Sequence, residues 1–443
     1  MNEESMPDLL IENGRMLLAD GWSPPGYLAI SGGKITALGT GPLPRELREM
    51  GGEWINAHHM AVMPGLTNAH THLSQTFMRG LSGGRPLLRW LKELIWPLQA
   101  AMTLPELELA ALLGMVENLR CGATHVVDHQ KITRTPAFSQ AVCAAASQTG
   151  LHLTLARAWA DKGANAESPE AILAELSALF EQYSGTGTCS PGGTRIRIAS
   201  GPLTPWRATA GTLQKTHTLA QHWGSGTHIH VSETRDEVKM TLEETGMRPV
   251  AWLDQLGILG PNCQVVHATW LEDHEIELLR ERDALVVHCP IANAVLGSGI
   301  ARVEDLRREG VRIHLGTDGP ASNDNQDCFD NMKAALMVAH LRENDPTQLS
   351  PVDVVRMATA GKTLAAGGEA DLILVNFNHV NAMPLHDIDS ALTLSCHGSD
   401  VDTVIVAGQV LMRAKRVLIL DENALLQECQ HAVIGLRKRA GLD

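Results

Sequence analysis

Ala61-Val62-Met63-Pro64-Gly65-Leu66-Thr67-Asn68-Ala69-His70-Thr71-His72 decides the fold. It is an apolar run of strand character that ends in two histidines. Successive side chains on a strand face opposite ways, so His70 and His72 point together and can both reach one ion at the strand's C-terminal end. Working outward, further runs rich in Val, Ile, Leu and Thr occur at 123–129, 151–159, 195–203, 227–233, 263–269, 284–289 and 311–317. Most are separated by stretches of helical character, and each is followed by polar or Gly/Pro punctuation. That alternation predicts an α/β fold, a (β/α)8 TIM barrel whose active site lies where the strands end.

The helices between the runs carry start signals. Thr103 and Glu106 form a capping-box pair with Pro105 in the first turn, and Ser168-Pro169-Glu170 opens another helix. Ser350 with Asp353, and Pro351 between them, starts a helix that should end near Gly361. Residues 8–60 alternate as a small antiparallel sheet would, with Asn13-Gly14 and Ser31-Gly32-Gly33 as turn signals. Ala370–Val375 and Thr403–Val410 also read as strands, and 184–193 as a flexible loop. The expected organisation is therefore 1–60 as the N-terminal part of a β-sandwich, 61–365 as the barrel, and 366–443 as the rest of the sandwich plus a terminal helix.

Composition narrows the function. A net charge of −14 lacks the concentrated basic face that nucleic acid or an anionic membrane would need. No apolar run approaches a bilayer crossing, and the start Met-Asn-Glu-Glu-Ser is acidic where a signal peptide is basic, so cytoplasmic residence is the expectation. The cysteines are spread without a Cys-x-x-Cys, which signals neither a disulfide framework nor a thiolate zinc site.

Chemistry concentrates at the strand ends. The fifth run closes in His228-Ile229-His230-Val231-Ser232-Glu233, where His230 supplies a third imidazole and Glu233 a nearby proton carrier. His228 shares the strand face of His230, and spacing leaves both open. His267, in Val-Val-His-Ala-Thr-Trp, sits where it can act on a metal-held water. Asp318, in Gly-Thr-Asp-Gly after the eighth run, can complete a metal shell and take a proton.

Together these segments resemble the amidohydrolase superfamily, in its deaminase and triazine-hydrolase branch, which includes S-adenosylhomocysteine and methylthioadenosine deaminases and chlorohydrolases. The resemblance rests on Pro64–His72, His230 to Glu233, His267-Ala268, His288-Cys289-Pro290 with Asn293, Gly316-Thr317-Asp318-Gly319 with Ser322-Asn323-Asp324, and Ala370-Asp371-Leu372. It implies one divalent metal per chain, zinc first and ferrous iron second, held by His70, His72, His230 and Asp318. Binuclear members of similar fold bridge two metals with a lysine at the end of strand four, and residues 195–206 contain none. The implied catalytic residues are Glu233, His267 and Asp318.

The resemblance implies a zinc-dependent hydrolase that releases ammonia from a nitrogen-rich ring: a purine, pterin, pyrimidine, triazine or adenosine derivative. A triazine-type hydrolase displacing chloride or an alkylamine is the alternative. A non-catalytic binding protein on the same fold would be expected to have lost a ligand or the carboxylate, and none is missing. Pro86–Leu91 with Ile95-Trp96-Pro97 is similar to the adenosine-type deaminases. Against that, Gln99 stands where they tend to place a ribose-binding glutamate, and Leu203 where they tend to have a histidine. Arg157 matches an arginine position of that group. Substrate-binding candidates are Trp96, Gln99, His129, Arg157, Trp159, Leu203, Trp206 and Asn323. A small heterocyclic substrate and a homo-oligomer are expected, with no nucleic acid or membrane partner. Between Thr359 and Ala370 the connector is shorter than related chains have.

Overall fold

The run that opens the barrel is two strands. In the computed structural model, which describes residues 7–81, 83–163, 165–183 and 195–442, the chain breaks at Gly65. Met60–Pro64 pairs antiparallel with Leu372–Asn376 and parallel with Leu9–Leu18, whereas Leu66–Thr71 pairs parallel with Ala123–Gln130. Pro64 has no N–H to continue a ladder. A Cβ on Gly65 would lie 2.0 Å from the Thr124 methyl, so only glycine lets the two strands approach there.

Leu66–Thr71 (β1), Ala123–Gln130 (β2), His152–Trp159 (β3), Ile196–Pro202 (β4), Thr227–Val231 (β5), Cys263–His267 (β6), Leu285–His288 (β7) and Arg312–Leu315 (β8) form an eight-stranded parallel sheet in sequence order. The sheet closes between its ends, where the Asp318 N–H donates to the His70 carbonyl at 2.9 Å and the Thr317 N–H to Asn68 Oδ1 at 3.0 Å. Strands buried on both faces read as near-continuous apolar runs, and β7 (Leu-Val-Val-His) is buried throughout. The expected helix starts are present. Thr103 and Glu106 cap Leu104–Arg120, Pro169 opens Pro169–Tyr183, and Ser350 with Asp353 caps Pro351–Ala358, which stops before the left-handed Ala360 and Gly361. The loop expected at 184–193 lies outside the described residues.

Both termini build one mixed nine-stranded sheet, in which Met60–Pro64 sits between Leu9–Leu18 and Leu372–Asn376. Leu9, Ile11, Leu28, Ile30, Leu372, Leu374 and Ile405 form a shared core there. Two local expectations are corrected. Asn13-Gly14 is not a turn: Leu9–Leu18 continues through it, with Asn13 left-handed at φ 66° and a bulge in the ladder, because the conformation that makes a turn also makes a bulge. Thr403–Val410 is not one strand: Ala407 (φ 47°) and Gly408 (φ 80°) fold Val401–Val406 back onto Gln409–Arg413. The Ser31-Gly32-Gly33 turn is present, joining Gly21–Ser31 to Lys34–Thr40.

The short connector before Ala370 is tied to this sheet. The Leu364 N–H donates to Leu17 O, Gly367 to Ile35 O, and Ala370 to Gly33 O. The terminal helix Glu422–Arg439 packs on Leu104–Arg120, with ion pairs Arg120–Glu422 and Arg439–Glu106 at its two ends. Among the described residues no helix is long and apolar enough to cross a membrane.

Candidate active site

Five of the barrel strands deliver side chains to one rim. β1 carries His70, with His72 just beyond it, β2 carries His129, β5 carries His228 and His230, β6 ends in His267, and Asp318 follows β8. The His70 and His72 ring centroids are 4.6 Å apart, and His70 lies 4.9 Å from His230 and 5.9 Å from His267. Asp318 Oδ1 is 3.3 Å from His70 Nε2 and 3.1 Å from His72 Nε2. Ser232, His267, Ala268 and Asp318 all have positive φ at this rim, backbone strain of the kind that collects at functional sites.

The hydrogen bonds fix where the protons are. His72 Nδ1 donates to the His129 carbonyl at 2.8 Å, and His230 Nδ1 to the Leu203 carbonyl at 2.7 Å, so each neutral ring turns an Nε2 lone pair inward. For His70 the same follows through a relay. His228 Nδ1 donates to Gln264 Oε1 at 2.6 Å, which leaves His228 Nε2 an acceptor for the His70 Nδ1–H at 2.7 Å. His70 Nε2, fully buried and without a hydrogen-bond partner, is then also a lone pair. His228 is thus a support behind His70, and β5 contributes His230 to the central cluster.

Three imidazole lone pairs and a carboxylate oxygen converging in a buried space repel one another without a cation. An extra proton on a ring would relieve this, but burial pushes His70, His72 and His230 below the usual histidine range. A divalent ion fits instead: nitrogen and oxygen donors of this type suit zinc, and each histidine's second nitrogen is already engaged. His70, His230 and His267 also bring ligand atoms within 4.8 Å of one another. Asp318 is held by the Gly319 N–H on Oδ1 (2.7 Å) and the Ser322 hydroxyl on Oδ2 (2.8 Å).

The relay makes Gln264 testable. An amide turned the other way would donate to His228, and the proton would pass to His70 Nε2, which could not then ligate. Gln264→Leu is expected to weaken metal affinity by about 10–100-fold in competition with a chelator, while Gln264→Glu keeps an acceptor oxygen and holds the metal. Unchanged affinity in the leucine variant would remove Gln264 from the relay.

Beside this cluster, Glu233 receives the Ser298 hydroxyl on Oε1 at 3.0 Å, and its Oε2 lies 3.5 Å from His267 Nε2. His267 Nδ1 donates to Asn293 Oδ1 at 2.9 Å, so its Nε2 is an acceptor. Burial, reinforced by the charge of Asp318, pushes the Glu233 carboxyl up to about 8. A protonated acid and an imidazole lone pair therefore face one opening.

That opening is a cavity of about 380 Å³. Of the substrate-binding candidates, Trp96, Gln99, Trp159, Leu203 and Trp206 line it; His129, Arg157 and Asn323 do not. His129 is turned to the Gly201 carbonyl at 2.9 Å, and Asn323 Nδ2 donates to the Thr317 carbonyl at 2.8 Å. Arg157 is 1% exposed and bonds to Glu167 and Glu175, so its charge is neutralised behind the wall. Trp159 is nearly as buried, its indole N–H held by Ser200 Oγ at 3.0 Å.

Lining residues missed from sequence include Trp90, Lys131 and Glu237. Lys131 directly follows β2 and was open to the same strand-end logic that found the histidines. Glu237 lies four residues past Glu233, in the first turn of Arg235–Thr245.

Comparison with known proteins places this geometry. A family model described as the amidohydrolase family matches residues 61–411. A 5-methylthioadenosine/S-adenosylhomocysteine deaminase of Pelotomaculum thermopropionicum is 34% identical over 98% of this chain and 100% of its own length. A 5'-deoxyadenosine deaminase of Methanothermobacter thermautotrophicus is 36% identical over 85% of this chain and 87% of its own. Among solved structures, a zinc-bound adenosine deaminase from Xanthomonas campestris superposes with a TM-score of 0.89 at 29% identity, covering 98% of this chain and 99% of that one. A mutant of the atrazine chlorohydrolase of Arthrobacter aurescens gives 0.87 at 22% identity, over 96% of this chain and 100% of that one.

Proposed function

The chain belongs to the amidohydrolase family, and from that premise we propose that it is a metal-dependent hydrolytic deaminase, releasing ammonia from the amino-bearing ring of an adenosine derivative. The observation that carries the reading is Glu233, a buried carboxyl raised to about 8 and facing His267 across the cavity. Water attacks an amino-bearing ring carbon readily only when a neighbouring ring nitrogen takes up the displaced electron pair with a proton. An acid that keeps its proton at neutral pH supplies it.

His70, His72, His230 and Asp318 would hold the ion. A divalent metal bound there supplies Lewis acidity that brings the ionisation of water down to roughly pH 7. Asp318 accepts the water's proton at its carboxylate. His267 orients the water through its Nε2 lone pair, its ring fixed by Asn293. Glu233 delivers its proton to the ring nitrogen, and the Trp96 and Trp206 side chains wall the ring from solvent. The relatives named for adenosine-type deamination support ammonia as the released group; the chlorohydrolase, at 22% identity, supports the fold.

Ammonia release across adenosine, 5'-deoxyadenosine, methylthioadenosine, free purines, pterins and triazines tests this. Turnover of an adenosine-type compound is the expected result, and release of halide or alkylamine without ammonia would sink it. The kcat/KM of that reaction should fall tenfold per pH unit above about 8, where Glu233 loses its proton. A profile flat to pH 10 would remove the acid role.

A further inference from the structure

The cavity that holds the metal-ligand cluster also carries hydrogen-bond donors without partners on its wall. The Trp90 indole nitrogen and Gln99 Nε2 are both buried and unpaired, and both residues line the cavity. Lys131 lines it as well, and its ammonium forms no ion pair with any carboxylate among the described residues. Burial lowers its pKa, and the charges that oppose this most are those of Asp318, Glu233 and Glu237, which line the same cavity. Two of these carboxyls are poor partners at neutral pH, since Glu233 and Glu237 are pushed up to about 8 and about 7 by burial and, after it, by acidic neighbours. Glu237 is also occupied, by the Trp206 indole N–H at 3.4 Å and the Thr234 N–H at 3.3 Å. A half-buried cation kept without a partner beside the chemistry calls for an oxygen acceptor on the ligand.

We propose that Lys131 binds an oxo oxygen on the ring that is deaminated, so that the substrate is an amino-oxo nitrogen heterocycle. The inference rests on the deaminase reading and narrows its substrate class. In the reaction, water's oxygen bonds to the amino-bearing carbon and the electron pair of the C=N bond moves into the ring. Glu233 protonates the ring nitrogen, Asp318 hands the proton it took from the water to the amine, the C–N bond breaks to release ammonia, and the remaining hydroxyl proton returns to Glu233 as the ring C=O forms. An oxo group conjugated to the attacked carbon carries part of the displaced charge, and the Lys131 ammonium neutralises it without changing its own protonation. Trp90 and Gln99 donate to further acceptor atoms of the same ligand. Lys131 is in this sense a specificity residue, acting on kcat as well as KM.

The test uses the full-length, metal-loaded protein and ammonia release from matched pairs: adenine against its 2-oxo and 8-oxo derivatives, and 5'-deoxyadenosine against S-adenosylhomocysteine. Wild type should prefer one oxo form over the unsubstituted ring at least tenfold in kcat/KM. K131M should cut kcat/KM on that form by about 10–100-fold and bring the ratio toward one, with K131R restoring part of it. Metal content and melting temperature of K131M should match wild type. Equal efficiency on oxo and unsubstituted rings overturns the proposal and leaves the deaminase reading standing. So does a K131M loss that is the same for both rings, which would mark Lys131 as a charge balance for the carboxylates. A Lys131-dependent preference for S-adenosylhomocysteine instead assigns the lysine to a tail carboxylate and also overturns it. Ammonia from none of the compounds overturns the deaminase reading and this inference together.

Discussion

Glu233→Gln is expected to lower kcat by about 10²–10⁴-fold, the range in which a positioned general acid contributes, while the protein keeps its metal. Glutamine matches glutamate in shape and can still accept from Ser298, which bonds to Oε1 in the parent. What it lacks is a carboxyl proton to hand to a ring nitrogen. The raised Glu233 carboxyl also predicts a change in stability. A carboxyl raised from 4.5 to about 8 binds more protons in the folded than in the unfolded state between those values. It therefore costs the fold stability as pH rises through that window. The glutamine variant escapes this cost, so in the metal-free protein the gap in melting temperature should widen in its favour from pH 5 to pH 8. Metal analysis and steady-state ammonia release on the purified variant check both statements together. Full turnover would take the acid role from Glu233, and loss of metal would show that the residue supports the ligands instead.

Removing the ion should have a still larger effect. Chelation is expected to abolish turnover, because none of the remaining groups can ionise water near neutral pH. It should also lower the melting temperature, since a ligand bound to the folded state alone stabilises it by mass action. Restoring one zinc per chain should recover activity in full. A stoichiometry of two would contradict the one-metal reading, which rests on the absence of a lysine in 195–206 and on a cluster built around His70. Recovery with ferrous iron but not zinc would keep the site and change the metal.

The near-continuous apolar runs and the residues that end them were legible in the sequence, because a barrel strand is buried on both faces and its last side chains must face the rim. His70, His72, His230, His267 and Asp318 come together for that reason. Local patterns said less where one residue type serves two ends. Asn13-Gly14 has the chemistry of a turn and of a bulge, and only the neighbouring Val62, whose methyl a Gly14 Cβ would approach to 2.4 Å, decides between them. Ala407 takes a left-handed conformation that alanine rarely adopts, so only Gly408 within Thr403–Val410 hinted at its hairpin. Arg157 stands near the end of its strand, where a substrate-binding residue was expected, but Glu167 and Glu175 come from the segment after it and draw it away from the cavity. Glu237 closes a capping box with Thr234, a local role that gives no sign of its place in the cavity wall.

The break at Gly65 has a consequence for how the protein is made. The strand bearing His70 continues directly from Met60–Pro64, whose neighbours are Leu9–Leu18, already synthesised, and Leu372–Asn376, which leaves the ribosome about 300 residues later. Parallel pairing with Leu9–Leu18 covers only Arg15 to Met16, whereas the antiparallel partner covers the strand from Met60 to Pro64. The first metal-ligand strand is therefore firmly anchored only once Leu372–Asn376 has emerged behind all eight barrel strands, which couples assembly of the centre to a pairing far along the chain. A nascent or truncated chain that stops before residue 372 would carry His70 and His72 without the fixed base that aims them.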